Sequence, residues 1–195
     1  SEVMTVADQS ANPKYIAADL LSQAEHDALA SSVLITDSEK LARETSKELS
    51  LQLSKLERQN IAGKSVENYG AAVICENMDE AFSLANEIAP EHMEILTENP
   101  FSDLSKVRNA GSIFLGEYSP EPLGDYFAGP NHVLPTNGTA RFSSPLSVDT
   151  FIKKSGVIYY TKDGLDEYKD DIIRFADAEG LTAHANSVKI RFEEK

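Results

Sequence analysis

Short apolar stretches alternate with amphipathic stretches along the first two-thirds of the chain. The apolar stretches predict β-strands over 2–7, 32–36, 71–75 and 112–115. Between them, apolar side chains recur at helical spacing. The helices predicted in this way cover about 13–26, 38–59 and 78–88. Strands that alternate with such helices predict an α/β fold, with a parallel Rossmann-like sheet that carries helices on both faces.

The pattern changes near residue 116. Residues 116–147 are rich in glycine and proline and show no regular period, so we predict a long irregular loop there, and such loops usually carry function. The remaining elements are predicted as a helix over 148–154, a strand over 156–160, and helices over 164–178 and 181–193. A boundary near residue 146 divides the chain into an α/β domain, 1–146, and a mostly helical C-terminal tail, 147–195.

Charge and composition limit the classes of binding partner and the cellular compartment that we expect for the protein. Acidic residues outnumber basic ones by 32 to 18, which gives a formal net charge of −14. An acidic surface repels phosphates, so we expect neither nucleic acid nor a membrane as a partner, and small molecules or other proteins remain. Cys75, the single cysteine, lies in an apolar stretch and cannot form an internal disulfide. It is expected to be a buried thiol in a cytoplasmic protein.

Two pairs of polar side chains are candidates for chemistry. Gln23 and His26 lie three residues apart near the end of the first predicted helix, so they share a face and can reach one metal ion. Such a pair is also typical of a solvated helix surface, and glutamine is an unusual zinc ligand. Glu91 and His92 follow the helix stop at Pro90, where they form either an acid/base pair or an ordinary polar helix end.

The irregular loop adds further polar candidates. Asp125 and His132 either face a ligand or satisfy backbone groups of the loop. If Gln23, His26 and Asp125 converge, we expect them at the carboxyl edge of the sheet, where ligands of parallel α/β folds gather. From spacing alone, the sequence predicts a metal site of mixed nitrogen and oxygen ligands and no more.

Several separated segments together resemble one enzyme family. They are Asp19-Leu20-Leu21-Ser22-Gln23-Ala24-Glu25-His26, Ala89-Pro90-Glu91-His92, Gly124-Asp125-Tyr126-Phe127-Ala128-Gly129-Pro130-Asn131-His132-Val133-Leu134-Pro135-Thr136, Gly138-Thr139-Ala140-Arg141-Phe142, and Glu179-Gly180-Leu181-Thr182-Ala183-His184. In this order they resemble the histidinol dehydrogenases along essentially the whole chain. The resemblance implies oxidation of L-histidinol through the aldehyde to L-histidine with two NAD, at the end of histidine biosynthesis.

The resemblance also assigns roles to individual residues. The implied zinc (Zn²⁺) ligands are Gln23, His26, Asp125 and His184. The implied acid/base pair is Glu91 and His92. The implied substrate contacts are the zinc ligands together with Ser1, His92 and Glu179. Histidinol carries an amine and an imidazole, both of which are zinc donors, so the metal is expected to position the substrate.

Family members are more than twice as long as this chain. The resemblance implies that an absent N-terminal part supplies most of the NAD contacts, and no Gly-x-Gly-x-x-Gly motif replaces it here. It further implies that 1–146 is an incomplete Rossmann-like domain with most of the zinc and substrate site. The tail, 147–195, is implied to exchange between the subunits of a homodimer. We therefore expect the isolated chain to be inactive.

Two other functions compete with the enzyme. The first is a non-catalytic module that binds zinc and an imidazole ligand but lacks a cofactor domain. The second is a zinc hydrolase with Glu91 as its base, which is disfavoured because such enzymes usually carry a compact His-Glu motif.

Overall fold

The computed structural model describes residues 1–193. Its centre is a five-stranded sheet in the order β3-β2-β1-β4-β5, in which every pairing is parallel. The strands are β1 (Glu2–Ala7), β2 (Ser31–Thr36), β3 (Gly70–Ile74), β4 (His92–Leu96) and β5 (Ser112–Leu115). The predicted α/β class with a parallel sheet is confirmed.

Helices connect the strands and complete the chain. They are α1 (Pro13–Ala24), α2 (Glu39–Leu53), α3 (Gln59–Tyr69), α4 (Met78–Ile88), α5 (Pro100–Asp103), α6 (Glu121–Tyr126), α7 (Lys162–Ala178) and α8 (Thr182–Lys189). Short 3₁₀ turns occur at Leu104–Lys106, Thr139–Arg141 and Val148–Phe151. None of the helices among the described residues has the length and apolar character needed to cross a membrane.

Apolar side chains cover both faces of the sheet. On one face, Phe82 of α4 packs with Met4 and Met93. On the other face, Ile16 and Leu20 of α1 pack with strand residues of β1 and β2. The prediction of helices on both faces is therefore confirmed, and α1 begins as predicted, with the Asn12 side chain accepting a hydrogen bond from the backbone N–H of Lys14.

The structure corrects several predicted elements. The strand β4 was absent from the prediction, because His92 and Glu94 interrupt its apolar pattern although every residue of the strand is buried. The helix predicted over 38–59 is α2, which ends earlier, at Leu53, and the helix α3 that begins at Gln59 was not predicted. The predicted irregular loop contains the helix α6, in which Pro122 occupies the first turn, where proline is tolerated.

The end of the chain also differs in part from the prediction. The strand predicted over 156–160 is wrong, because these residues form no regular structure. The helix predicted over 148–154 is a 3₁₀ turn at Val148–Phe151. The two last helices are confirmed as α7 and α8, although α8 ends at Lys189, earlier than predicted.

The chain divides into two compact units, Ser1–Phe151 and Ile152–Lys195. The predicted boundary near residue 146 falls within the first unit. In the second unit, Ala176 of α7 and Ala185 and Val188 of α8 are buried, and the Lys189 ammonium lies 3.2 Å from the Asp177 carboxylate. The role of the tail in exchange between subunits stays a prediction.

Candidate active site

The candidate site lies at the edge where the strands begin. His92 opens β4 and lies beside Val3 of β1, near the start of that strand. Helix α1 runs back against the strand direction, and near its end Leu20 accepts a hydrogen bond of 2.7 Å from Ser32 at the start of β2. The expectation that Gln23 lies at the carboxyl edge is therefore wrong, because a crossover helix returns the chain to the edge where the next strand begins.

His92 is held in a defined orientation. It is buried, and its Nδ1 lies 2.9 Å from the backbone carbonyl of Glu2. A carbonyl oxygen only accepts, so Nδ1 donates and Nε2 is the unprotonated nitrogen of the neutral ring. Nε2 lies 3.7 Å from Oε1 of Glu121, and the ring lies beside Phe114 at 6.0 Å between centroids.

Glu91 is anchored to the start of β1. Its Oε2 accepts a hydrogen bond of 3.0 Å from the backbone N–H of Glu2 and lies 3.9 Å from Nδ1 of His92. The nitrogen of Ser1 lies 4.0 Å from the same oxygen. The structure thus brings together Ser1, Glu91 and His92, three of the predicted site residues.

Two carboxylates on α6 face His92. Glu121 and Asp125 lie one helical turn apart, and ligand atoms of these two residues and His92 all lie within 4.8 Å of one another. Burial raises the pKa of Glu121 to about 7, and the Asp125 carboxylate adds to this effect while His92 opposes it. The three side chains form an arrangement that can hold a cation, and Asp125, the exposed member, is open to a ligand.

Glu121 was missed by the sequence analysis. The sequence feature that could have indicated it is its spacing from Asp125. The two residues are four apart, so in a helix they share one face. Prolines on both sides of Glu121 concealed that helix within a segment that we predicted as irregular.

Gln23 presents a buried acceptor that lacks a partner. The side chain is buried, and among the described residues its Oε1 has no hydrogen-bond donor. A buried carbonyl oxygen without a donor is costly, so a bound cation or another ligand is a natural partner. His26 follows in the turn after α1 and is exposed. Imidazole nitrogen and carboxylate oxygen, the donors of His26 and Asp125, are ligand types of zinc.

Two more carboxyl groups lie beneath the site. Glu94 of β4 is buried, and its pKa is raised to about 8, first by burial and then by the Asp19 carboxylate. Burial raises the pKa of Asp19 to about 6. Asp19 lies four residues before Gln23 on α1, so both side chains belong to the same helix face.

A cavity of about 270 Å³ opens beside His92 and Asp125. It is lined by His92 of β4 and by residues of β5, α6 and the following loop, among them Phe114, Asp125 and His132. A small molecule that bound in this cavity would contact His92 and Asp125.

Two predicted site residues belong to the second unit. Glu179 follows the last turn of α7, and His184 lies in α8. Both are exposed. Their predicted roles, like the metal-binding roles of Gln23, His26 and Asp125, stay predictions.

Similar proteins of known family place the chain among one group of enzymes. The sequence model of histidinol dehydrogenase matches residues 1–192. The histidinol dehydrogenase of Caldanaerobacter subterraneus subsp. tengcongensis is 61% identical over 187 residues, which is 96% of this chain and 44% of that protein. The histidinol dehydrogenase of Listeria monocytogenes is 57% identical over 195 residues, or 100% of this chain and 46% of that protein. The chain thus spans less than half the length of these curated relatives.

Solved structures agree with this result. The crystal structure of histidinol dehydrogenase from Elizabethkingia anophelis superposes with a TM-score of 0.88 at 40% identity, and covers 98% of this chain and 44% of that one. An acetylating aldehyde dehydrogenase from Geobacillus thermoglucosidasius, 14% identical with a TM-score of 0.51, shares the fold alone. The chain belongs to the histidinol dehydrogenase family.

Proposed function

We propose that this chain acts as the C-terminal part of a histidinol dehydrogenase, which oxidises L-histidinol through the aldehyde to L-histidine in the cytoplasm. The observation that carries the proposal is buried His92, whose Nδ1 bonds to the Glu2 carbonyl and whose Nε2 faces Glu121 beside a cavity. Family membership and the match to less than half of each relative support it.

His92 and Glu91 are the proposed proton-transfer groups. When hydride leaves the alcohol carbon, the hydroxyl proton must be removed, and Nε2 of His92, the ring nitrogen that the Glu2 carbonyl does not engage, is the proposed acceptor. In the second oxidation a water molecule adds to the aldehyde and loses a proton. Glu91, adjacent in the chain and anchored to β1, is the proposed base for that step.

Zinc is proposed to be held by Gln23, His26, Asp125 and His184. The unpartnered Oε1 of Gln23 supports the site, since it offers a buried lone pair that no described donor uses. Zinc, when bound, supplies a centre that anchors the amine and imidazole of L-histidinol. Gln23 and Asp125 then orient the substrate toward His92, while the buried start of β4 excludes water from one side.

The cofactor and the residues of the tail are proposed to contribute from outside the first unit, whereas Ser1 belongs to it. NAD, when bound, supplies the hydride acceptor, and we propose that its site lies in the upstream part of the longer enzyme. We further propose a homodimer in which Glu179 and His184 of one subunit complete the site of the other. Ser1 is proposed to contact the substrate next to Glu91.

The proposal is tested with a full-length enzyme made by joining this chain to the upstream part of the Listeria monocytogenes relative. We expect two NADH per L-histidinol from this enzyme and none from the 195-residue chain alone. The matched control is the same enzyme with His92→Asn. A joined enzyme that folds and binds zinc but produces no NADH contradicts the proposal and favours a non-catalytic binding module.

A further inference from the structure

Glu94 is a carboxyl group in the middle of β4 with only 1% of its surface exposed. Strand residues on the same face, Val3, Ala7 and Leu96, are apolar and belong to the hydrophobic core. Burying a carboxyl group in such surroundings is costly unless hydrogen bonds compensate for the lost water. Hydrophobic packing alone therefore does not explain a glutamate at this position.

Both carboxyl oxygens of Glu94 accept hydrogen bonds from other elements. Oε2 accepts from the hydroxyl of Thr5, which lies directly opposite in β1, at 2.9 Å. Oε1 accepts from the backbone N–H of Glu121, the first residue of α6, at 3.1 Å. We call these contacts the Glu94 bridge: the Thr5 hydroxyl, the Glu94 carboxyl group and the Glu121 amide.

Helix α6 depends on contacts of this kind. It has 6 residues, and Pro120, at its N-cap, makes no side-chain capping bond. So short a helix is not stable alone, and its first N–H groups have no partner within the helix. Glu94 supplies a partner from the sheet. Two residues earlier on the same strand, His92 faces the Glu121 and Asp125 carboxylates of α6.

We propose that Glu94 is a positioning residue for the active site. Its bridge fixes the start of α6 against β4 and thereby sets the position of Asp125 relative to His92. The inference rests on the proposed function, in which Asp125 holds zinc and His92 accepts a proton. Glu94 does not act on the substrate itself. It acts through Glu121 of α6, which lies one helical turn before Asp125.

Two conservative variants separate positioning from a general need for a buried acid. Glu94→Asp keeps the carboxyl group but is shorter by one methylene, so it no longer reaches both the Thr5 hydroxyl and the Glu121 amide. Glu94→Gln keeps the length. Its carbonyl oxygen accepts from the Glu121 amide, and its NH₂ group donates to the Thr5 hydroxyl. Thr45→Val is the matched control, because it makes the same substitution at a buried threonine of α2 that takes no part in the bridge.

The variants are made in the joined full-length enzyme, and three quantities are measured: kcat for NADH formation, zinc affinity by competition with a chelator, and the melting temperature. For Glu94→Asp we expect kcat and zinc affinity each to fall about tenfold or more, the usual effect of losing a group that orients metal ligands. For Glu94→Gln and Thr45→Val we expect kcat and zinc affinity to stay close to those of the parent, because each variant leaves both ends of the bridge connected.

Two results would overturn the role of Glu94 while the proposed function stands. One is a Glu94→Asp enzyme with the kcat and zinc affinity of the parent, whatever its melting temperature. The other is a Glu94→Gln enzyme in which kcat and zinc affinity fall as far as they do in the Glu94→Asp enzyme. A folded parent enzyme that neither binds zinc nor forms NADH refutes the proposed function, and with it the role of Glu94.

Discussion

The buried carboxyl group of Glu94 makes the stability of the metal-free chain depend on pH. Its pKa in the folded chain is raised from 4.5 to about 8, chiefly by burial. The unfolded chain releases this proton near its ordinary pKa, so above that value the folded state binds more protons than the unfolded state. Its stabilising contribution is complete below the ordinary pKa and is lost as the pH rises toward 8.

The size of the effect follows from the pH range between the pKa of Glu94 in the unfolded chain and its pKa in the folded chain. While a group is protonated in the folded state and ionised in the unfolded state, the free energy of unfolding falls by about 1.4 kcal/mol for each unit by which the pH rises. Between about pH 5 and pH 7, Glu94 alone therefore lowers the free energy of unfolding by about 3 kcal/mol. Glu121 and Asp19 have raised pKa values too and act in the same direction.

Glu94→Gln removes the titration while keeping the side-chain length. Urea unfolding of the metal-free chain, repeated across this pH range, gives the free energy of unfolding for parent and variant. We expect the difference between the two to change by about 3 kcal/mol in favour of Glu94→Gln as the pH rises from about 5 to 7. Glu67→Gln, at an exposed position of α3, is the control and should give a constant difference. A constant difference for Glu94→Gln would refute the reasoning.

Three further predictions concern the site. Glu91→Gln or His92→Asn in the joined full-length enzyme should lower kcat by about 10²- to 10⁴-fold at unchanged zinc content, whereas parallel loss of zinc would make these residues ligands. Gln23→Leu should weaken zinc binding yet leave the metal-free chain at least as stable, because it removes an unpartnered buried acceptor; unfolding melts with and without zinc check both effects. Zinc titrations of the isolated chain should show affinity that rises with protein concentration, and concentration-independent affinity would contradict a site shared between subunits.

The strands and helices with regular apolar spacing were predictable, but β4 was not. Its pattern is broken by His92 and Glu94, which are buried only because partners from distant segments bond to them. The Glu2 carbonyl bonds to His92, and the Thr5 hydroxyl bonds to Glu94. A sequence pattern records polarity at each position and does not reveal a partner that lies about ninety residues away.

Individual residues of the candidate site were predictable from the sequence, but their arrangement in the fold was not. The resemblance to the histidinol dehydrogenases singled out Glu91, His92 and Asp125 before the fold was known, whereas their spacing alone left them open as ordinary polar groups. Glu121 was not found, because the prolines beside it hid a short helix held by a contact from the sheet. The edge of the sheet was predicted wrongly, since a rule for ligands at carboxyl edges does not describe residues at the end of a crossover helix.

The position of bound zinc is the most direct test of the site. Crystals of the joined full-length enzyme with zinc, measured at wavelengths on both sides of the zinc absorption edge, locate the metal by its anomalous scattering. We predict one peak at bonding distance, about 2.0 to 2.3 Å, from Gln23, His26 and Asp125. A peak bound instead by His92 and Glu121 would contradict the assignment, because the proposed proton acceptor would then be a metal ligand.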